Sequence, residues 1–160
     1  MFSIFRRQPN PAAILTSKLY DERRFYGAFI NDLKRAKREV IIESPYLTTR
    51  RTNQLLPVLA KLTRHGVKVR INTRNPNHHD EYLRIQAWVA LKQLRAAGVK
   101  VNTCDDLRHR KLAAIDGEIL WEGSLNILSQ NNSREVMRRT QSEELCGQMI
   151  QFAGLKKWTW

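Results

Sequence analysis

Residues 109–126 read HRKLAAIDGEILWEGSLN and carry the clearest local signal in the chain. Asp116-Gly117 lies between two apolar runs, which is the strongest short-range signal for a tight hairpin of antiparallel strands. Residues two apart on a strand project to the same face, so His109 and Lys111 are predicted to lie side by side. The polar segment 123–126 ends the returning strand and is expected beside them. An imidazole, an ammonium, a hydroxyl and an amide would then converge on one anion.

Helices and strands alternate upstream of this hairpin. Helical periodicity ended by glycine marks helices, and short β-branched or alternating runs mark strands. Strands separated by helices of this length imply right-handed parallel crossovers, so the chain is predicted to be an α/β sandwich. The predicted segments are a helix from about 19 to 37, a strand over 39–44, a helix over 55–66, a strand over 67–72, a helix over 82–97 and a strand over 99–103.

Beyond the hairpin, the sequence predicts only one more strand and one more helix. A strand is expected near 135–137 and a closing helix over 143–152, after a polar loop over 129–133. No internal repeat or second domain boundary is visible in the sequence. We interpret residues 1–15 as a flexible arm or the stub of a longer polypeptide, and residues 16–160 as one domain.

The composition limits the classes of function. The 160 residues carry 28 Lys and Arg against 15 Asp and Glu, a formal charge of +13. No apolar run is long enough for a membrane span. The two cysteines lie far apart and give no support for a disulfide scaffold, so a reduced cytoplasmic setting is expected. Residues 1–80 carry 16 basic and 6 acidic side chains, net +10, whereas 81–160 carry 12 and 9, net +3. This asymmetry is typical of a polyanion binder, although a solvated basic surface gives the same count.

The polar residues of 109–126 also resemble a known family. His109-x-Lys111-x4-Asp116-Gly117, followed by Gly123-Ser124-x-Asn126, is similar to the HKD signature of the phospholipase D superfamily, as is Ser44-Pro45-Tyr46 after the first predicted strand. The resemblance extends from about residue 17 to residue 155. It implies an α/β/α sandwich with a mixed, mainly parallel central sheet. Full-length phospholipases carry two such motifs and this chain has one, as in the small bacterial single-motif endonucleases.

The family's chemistry implies a role for each motif residue. His109 would be the nucleophile in one subunit and the general acid in the other, since one histidine attacks phosphorus and a second protonates the leaving oxygen. The resemblance therefore implies a homodimer with one shared active site and no metal or other cofactor. Lys111 and Asn126 would bind the non-bridging oxygens with help from Ser124. Glu135 would hydrogen-bond the imidazole, while the turn residues Asp116 and Gly117, together with Gly123, would be structural.

The sequence leaves three classes of function open. DNA or RNA is favoured by the basic charge and the absence of a lipid-inserting segment. A phospholipid hydrolase and a non-catalytic nucleic-acid-binding module of a larger helicase- or restriction-type system are the alternatives. His78-His79-Asp80 is interpreted as an exposed loop and not a metal site, and Trp158 and Trp160 as packing or base-stacking groups. The candidate substrate contacts are Tyr46, Arg50, Arg74, Arg108 and Arg110.

Overall fold

The computed structural model describes residues 16–156, which form one seven-stranded mixed sheet with four helices. The strand order is β1-β7-β6-β5-β2-β3-β4. The elements are β1 (Thr16–Asp21), α1 (Phe25–Arg35), β2 (Glu39–Glu43), α2 (Thr49–Arg64), β3 (Lys68–Arg74), a 3₁₀ turn (Pro76–His78), α3 (Glu81–Ala96), β4 (Lys100–Cys104), β5 (Leu112–Ile115), β6 (Ile119–Gly123), β7 (Val136–Gln141) and α4 (Glu143–Phe152). The predicted α/β class is confirmed, and the predicted segment over 1–15 lies outside the described residues.

The sheet is less parallel than the sequence pattern predicts. β2, β3 and β4 pair in parallel through the crossover helices α2 and α3. The other four pairings, β2 with β5, β5 with β6, β6 with β7 and β7 with β1, are antiparallel. The hairpin at Asp116-Gly117 accounts for the β5–β6 pair, and β6 and β7 are antiparallel because no crossover helix lies between them.

The first predicted helix begins too early. Residues 16–21 form β1, an edge strand that pairs antiparallel with β7, and the helix starts only at Phe25. Leu19, which fitted the helical periodicity, lies on this strand with 53% of its surface exposed. The partner of β1 lies about 120 residues downstream, for example Thr16 opposite Gln141, so local periodicity could not reveal it.

Helices cover both faces of the sheet. Alternating side chains of β2 separate two cores: Val40 and Ile42 face α1, α2 and α3, whereas Ile41 packs against α4 beside Cys146 and Ile150. The arrangement is the expected three-layer α/β/α sandwich. Within residues 16–156, no helix is long and apolar enough to cross a bilayer.

A buried polar link fixes α1 to the antiparallel half of the sheet. The carboxylate of Asp32 on α1 accepts a hydrogen bond from the indole of Trp121 on β6 at 2.9 Å. It also accepts two from Arg139 on β7, at 2.7 and 3.0 Å. Burial of this charge is tolerated because both carboxylate oxygens are hydrogen-bonded and paired with a cation.

Candidate active site

The ends of four neighbouring strands bring the predicted site residues to one edge of the sheet. Glu43, the last residue of β2, pairs with Leu112 at the start of β5, and Leu112 pairs with Glu122 near the end of β6. The carboxyl end of β3 lies at the same edge, because β2 and β3 are parallel. Polar side chains that follow these strand ends therefore face a common space outside the sheet.

His109 and Lys111 lie side by side, although the segment 109–111 precedes β5 and is not part of the strand. The Lys111 ammonium lies 2.7 Å from Nδ1 of His109 and donates to the His109 carbonyl at 2.5 Å. Partial burial, then the charge of Lys111, then that of Arg74 hold the pKa of His109 below its usual value. The imidazole is therefore biased toward its neutral form, which is the nucleophilic one.

Asp116 anchors the hairpin from outside the reaction centre. Its carboxylate accepts hydrogen bonds from the backbone amides of Lys37, Arg38 and Glu39 at 2.8–3.0 Å, and so fixes the entry into β2. Asp116 and Gly117 have positive φ angles, 55° and 69°, as a type I′ hairpin turn requires. The carboxylate thereby ties the hairpin to the strand that carries the other wall of the site.

Gly123 is explained by the fold and not by a ligand. A Cβ atom at this position would lie 2.1 Å from the Val136 carbonyl oxygen and 2.9 Å from Cα of Met137. Glycine is required because β7 passes so close to the end of β6. The neighbouring strand occupies the space beside this glycine, which agrees with the structural role expected for Gly123.

Ser124 and Asn126 follow β6 at the same edge. The Ser124 hydroxyl accepts a hydrogen bond from the Val136 amide at 3.1 Å, so it helps to start β7. Oδ1 of Asn126 is buried and has no hydrogen-bond partner within residues 16–156. This oxygen is an acceptor and cannot bind a phosphate oxygen, so Asn126 would contact a phosphate through its Nδ2–H groups, whereas the Ser124 hydroxyl is already engaged in the fold.

Glu135 lies near Lys111 but does not reach His109 in the described protomer. Its carboxylate accepts a hydrogen bond from the Ser133 hydroxyl at 2.7 Å. Its charge opposes the burial that lowers the pKa of Lys111. The backbone amide of Glu135 donates to Glu22 at 3.1 Å, a contact that contributes most to lowering the pKa of Glu22 to about 2. The expected bond from Glu135 to the imidazole is not made within the described residues.

Arg108 and Arg110, which were predicted as substrate contacts, both form ion pairs with a carboxylate of the chain itself. Both guanidinium groups bind the carboxylate of Glu43, which is fully buried, at 3.2 and 2.6 Å. Arg108 also forms a two-point contact with Asp106. The arginines on either side of His109 thus clamp its backbone to the end of β2. Glu43 was not among the predicted site residues, because it lies about 65 residues from these arginines in the sequence and the pairing is a tertiary contact.

Tyr46 and Arg74 border the His109 side of the site. The Tyr46 ring lies edge-on to the His109 imidazole, with centroids 5.9 Å apart, and Arg74 donates to its hydroxyl at 3.3 Å. Arg50 is more distant and exposed, and its guanidinium donates to Asn131. Ser44 is buried, and its hydroxyl accepts a hydrogen bond from the Leu128 amide and so connects the turn before Tyr46 to the loop after Asn126.

His79 is a neighbour of the site that the sequence reading treated as exposed loop. Its ring packs against Tyr46 at 5.1 Å, its Nε2 is buried, and burial holds its pKa below the usual value. The adjacent Asp80 caps α3 by accepting from the Leu83 amide. Within residues 16–156 there is no cluster of three histidine, cysteine or carboxylate side chains that could hold a metal ion. Trp158 and Trp160 lie outside the described residues.

Comparisons with known proteins agree on one fold. A family model described as "Cardiolipin synthase, PLD-like domain" matches residues 29–155. Nuc from Salmonella typhimurium, a phospholipase D family member, superposes with a TM-score of 0.73 at 13% identity over 86% of this chain and 91% of its own. NucT from Helicobacter pylori gives 0.68 at 20% identity over 86% and 92%.

A third solved structure is more distant in sequence. TrmBL2, an archaeal chromatin protein with a novel mode of DNA binding, gives a TM-score of 0.58 at 9% identity over 88% of this chain and 51% of its own. No curated protein matches the sequence. At these identities, the structural matches establish the fold alone.

Proposed function

The chain belongs to the phospholipase D superfamily as a member with one HKD motif, and we propose that it is a metal-independent phosphodiesterase that cleaves DNA or RNA. The observation that carries this proposal is the 2.7 Å contact between the Lys111 ammonium and His109, at a sheet edge that also carries Asn126. A nucleophile and a phosphate-binding cation are therefore already adjacent before substrate arrives.

The reaction proceeds in two displacements. The neutral imidazole of His109 attacks phosphorus, forming a nitrogen–phosphorus bond as the bond from phosphorus to the leaving oxygen breaks. A second, protonated histidine gives its proton to the leaving oxygen and then takes one from the water that hydrolyses the phosphohistidine. Lys111 and Asn126 bind the non-bridging oxygens, so that the charge developing at phosphorus is stabilised by fixed donors of the protein.

We propose that the second histidine is His109 of a partner subunit. The His79 ring packs against Tyr46 and its Nε2 is buried, so His79 is poorly placed to protonate a leaving group. A groove of about 670 Å³ beside Lys111 and Gly123 provides surface for a symmetric dimer. It includes apolar side chains from three elements, namely Leu19, Val136, Met149 and Phe152.

Nucleic acid fits this chain better than lipid. The charge of +13 favours an extended polyanion. Cys104 and Cys146 are buried free thiols, as expected for the cytoplasmic setting that we propose. The match to a cardiolipin synthase family favours a phospholipid substrate as one alternative, and the similarity to TrmBL2, which binds DNA, favours a binding module without cleavage as another.

The test is cleavage of labelled single- and double-stranded DNA and RNA in excess EDTA. We expect cleavage by the native protein, none by His109→Ala, and normal cleavage by His65→Ala, since His65 is exposed at the far end of α2. Phospholipid vesicles form a parallel arm. Cleavage that survives in His109→Ala, or that requires a metal ion, would contradict the mechanism. Hydrolysis of vesicles alone would establish the lipid alternative.

A further inference from the structure

Arg74 differs from the other arginines that border the candidate site. Arg108 and Arg110 are neutralised by Glu43, whereas within residues 16–156 no carboxylate lies within ion-pair distance of Arg74. One of its Nη–H groups donates to the Tyr46 hydroxyl, and its Nε–H has no acceptor among the described residues. The site therefore contains a cation whose charge is not balanced by any carboxylate of the described residues.

Arg74 and His109 both lie against the ring of Tyr46 at this edge of the sheet. The Tyr46 ring centre is 5.9 Å from that of His109 and 5.7 Å from Cζ of Arg74. The strand order places β5, β2 and β3 next to one another, so the groups that follow these strands form a row spanning about 10 Å. Arg74 ends β3, two strand spacings from the start of β5 beside Lys111, which leaves room for a second phosphate next to the one held by Lys111.

We propose that Arg74 binds a second phosphate, the one next to the scissile phosphate, so that the enzyme selects strands with consecutive phosphates. This inference rests on the proposed nuclease function and specifies its substrate further. The planar guanidinium suits a phosphate because it offers paired N–H donors. Tyr46 and His79 form an aromatic wall between the two anions, where the sugar or base that links them would pass.

Small substrates that differ by one phosphate test the inference. The first is a dinucleoside monophosphate, and the others are the same compound with an added 5′ or 3′ terminal phosphate. For the native protein, we expect kcat/KM to be about 10- to 100-fold higher for one of the phosphorylated forms, the range of a charge-assisted contact. Arg74→Met should remove most of that preference, whereas Arg64→Met, which removes an arginine from the end of α2 at the opposite edge, should retain it.

The possible results test the second phosphate site independently of the proposed nuclease activity. An equal loss on all three substrates in Arg74→Met would overturn the subsite, because Arg74 would then act on the reacting phosphate. Lack of any preference in the native protein would overturn it as well. If no nucleic acid is cleaved, the nuclease proposal fails, and the subsite is decided by binding. In a His109→Ala background, Arg74→Met must weaken the affinity for a short labelled oligonucleotide, and an unchanged affinity would refute the subsite.

Discussion

Glu43→Gln is expected to damage both stability and catalysis, although Glu43 contacts no substrate. The carboxylate is fully buried and is bonded to Arg108 at one oxygen and to Arg110 at the other. Glutamine preserves the volume and one acceptor oxygen but removes the negative charge. Two cations then remain around a site from which their counter-ion has been taken.

The magnitude follows from the exposure of the two arginines. Breaking a buried ion pair by removing one partner costs about 3–5 kcal/mol of unfolding free energy. Arg108 keeps its contact with Asp106, and Arg110 has 39% of its side chain exposed, so water can compensate part of the loss. We therefore expect the lower limit, about 3 kcal/mol, which for a chain of this size corresponds to a fall in Tm of about 6–12 °C.

Glu118→Gln is the control that separates the effect of burying an ion pair from the effect of losing a carboxylate charge. Glu118 pairs with Arg38 at 3.1 Å, but both side chains are about half exposed, so its loss should cost below about 1 kcal/mol. Thermal unfolding of both variants, followed by circular dichroism, measures the difference. Cleavage assayed well below either Tm should show kcat reduced about 10- to 100-fold in Glu43→Gln alone, because a slightly displaced His109 loses its alignment.

Two results would refute this reasoning about Glu43. If Glu43→Gln and Glu118→Gln unfold within 2–3 °C of each other, the buried carboxylate does not stabilise the fold as argued. If Glu43→Gln lowers Tm as expected but retains full kcat, the arginines flanking His109 do not position it. The carboxylate would then be a structural group with no connection to the reaction.

The remaining predictions concern Gly123 and pH. Gly123→Ala should lower the unfolding free energy by about 1–3 kcal/mol or more, because its Cβ would meet the Val136 backbone. Gly27→Ala, in open space within α1, should raise the unfolding free energy by about 0.5–1 kcal/mol. Urea titration of the two variants measures the difference. In the pH profile of kcat/KM, the acid limb should lie below pH 6.5, because burial, Lys111 and Arg74 lower the pKa of His109. Since a cation disfavours the protonated imidazole, Arg74→Met should move that limb to higher pH, and an unchanged or lower limb would contradict the assignment.

The elements set by local sequence were predictable. Asp116-Gly117 predicted the β5–β6 hairpin, and helical periodicity with Gly66 and Gly98 predicted α2 and α3 and the parallel strands that follow them. β1 was not predictable, because its only strand partner is β7, at the other end of the domain. Its alternation is weak as well, since most of its residues are exposed. Edge strands of this kind depend on long-range pairing and carry little local signal.

The charged residues around the site were predictable as a group but not one by one. The sequence placed Arg74, Arg108 and Arg110 at strand ends near the motif, and the structure places all three there. Which of them is balanced by a carboxylate depends on Glu43, at the end of a strand about 65 residues earlier in the chain. Free charge and neutralised charge look identical in a sequence, because the distinction lies in a tertiary contact.

Several residues of the motif that identifies this family stabilise the fold and do not face a substrate. Asp116 holds the entry into β2, Gly123 lets β7 approach, and the Ser124 hydroxyl accepts the first amide of β7. His109, Lys111 and Asn126 are the motif residues with groups left for a substrate. A chain could therefore keep the fold and most of the signature after losing its chemistry, so the match to the family supports the fold more strongly than the activity. The loss of cleavage in a folded His109→Ala protein is the observation that connects the two.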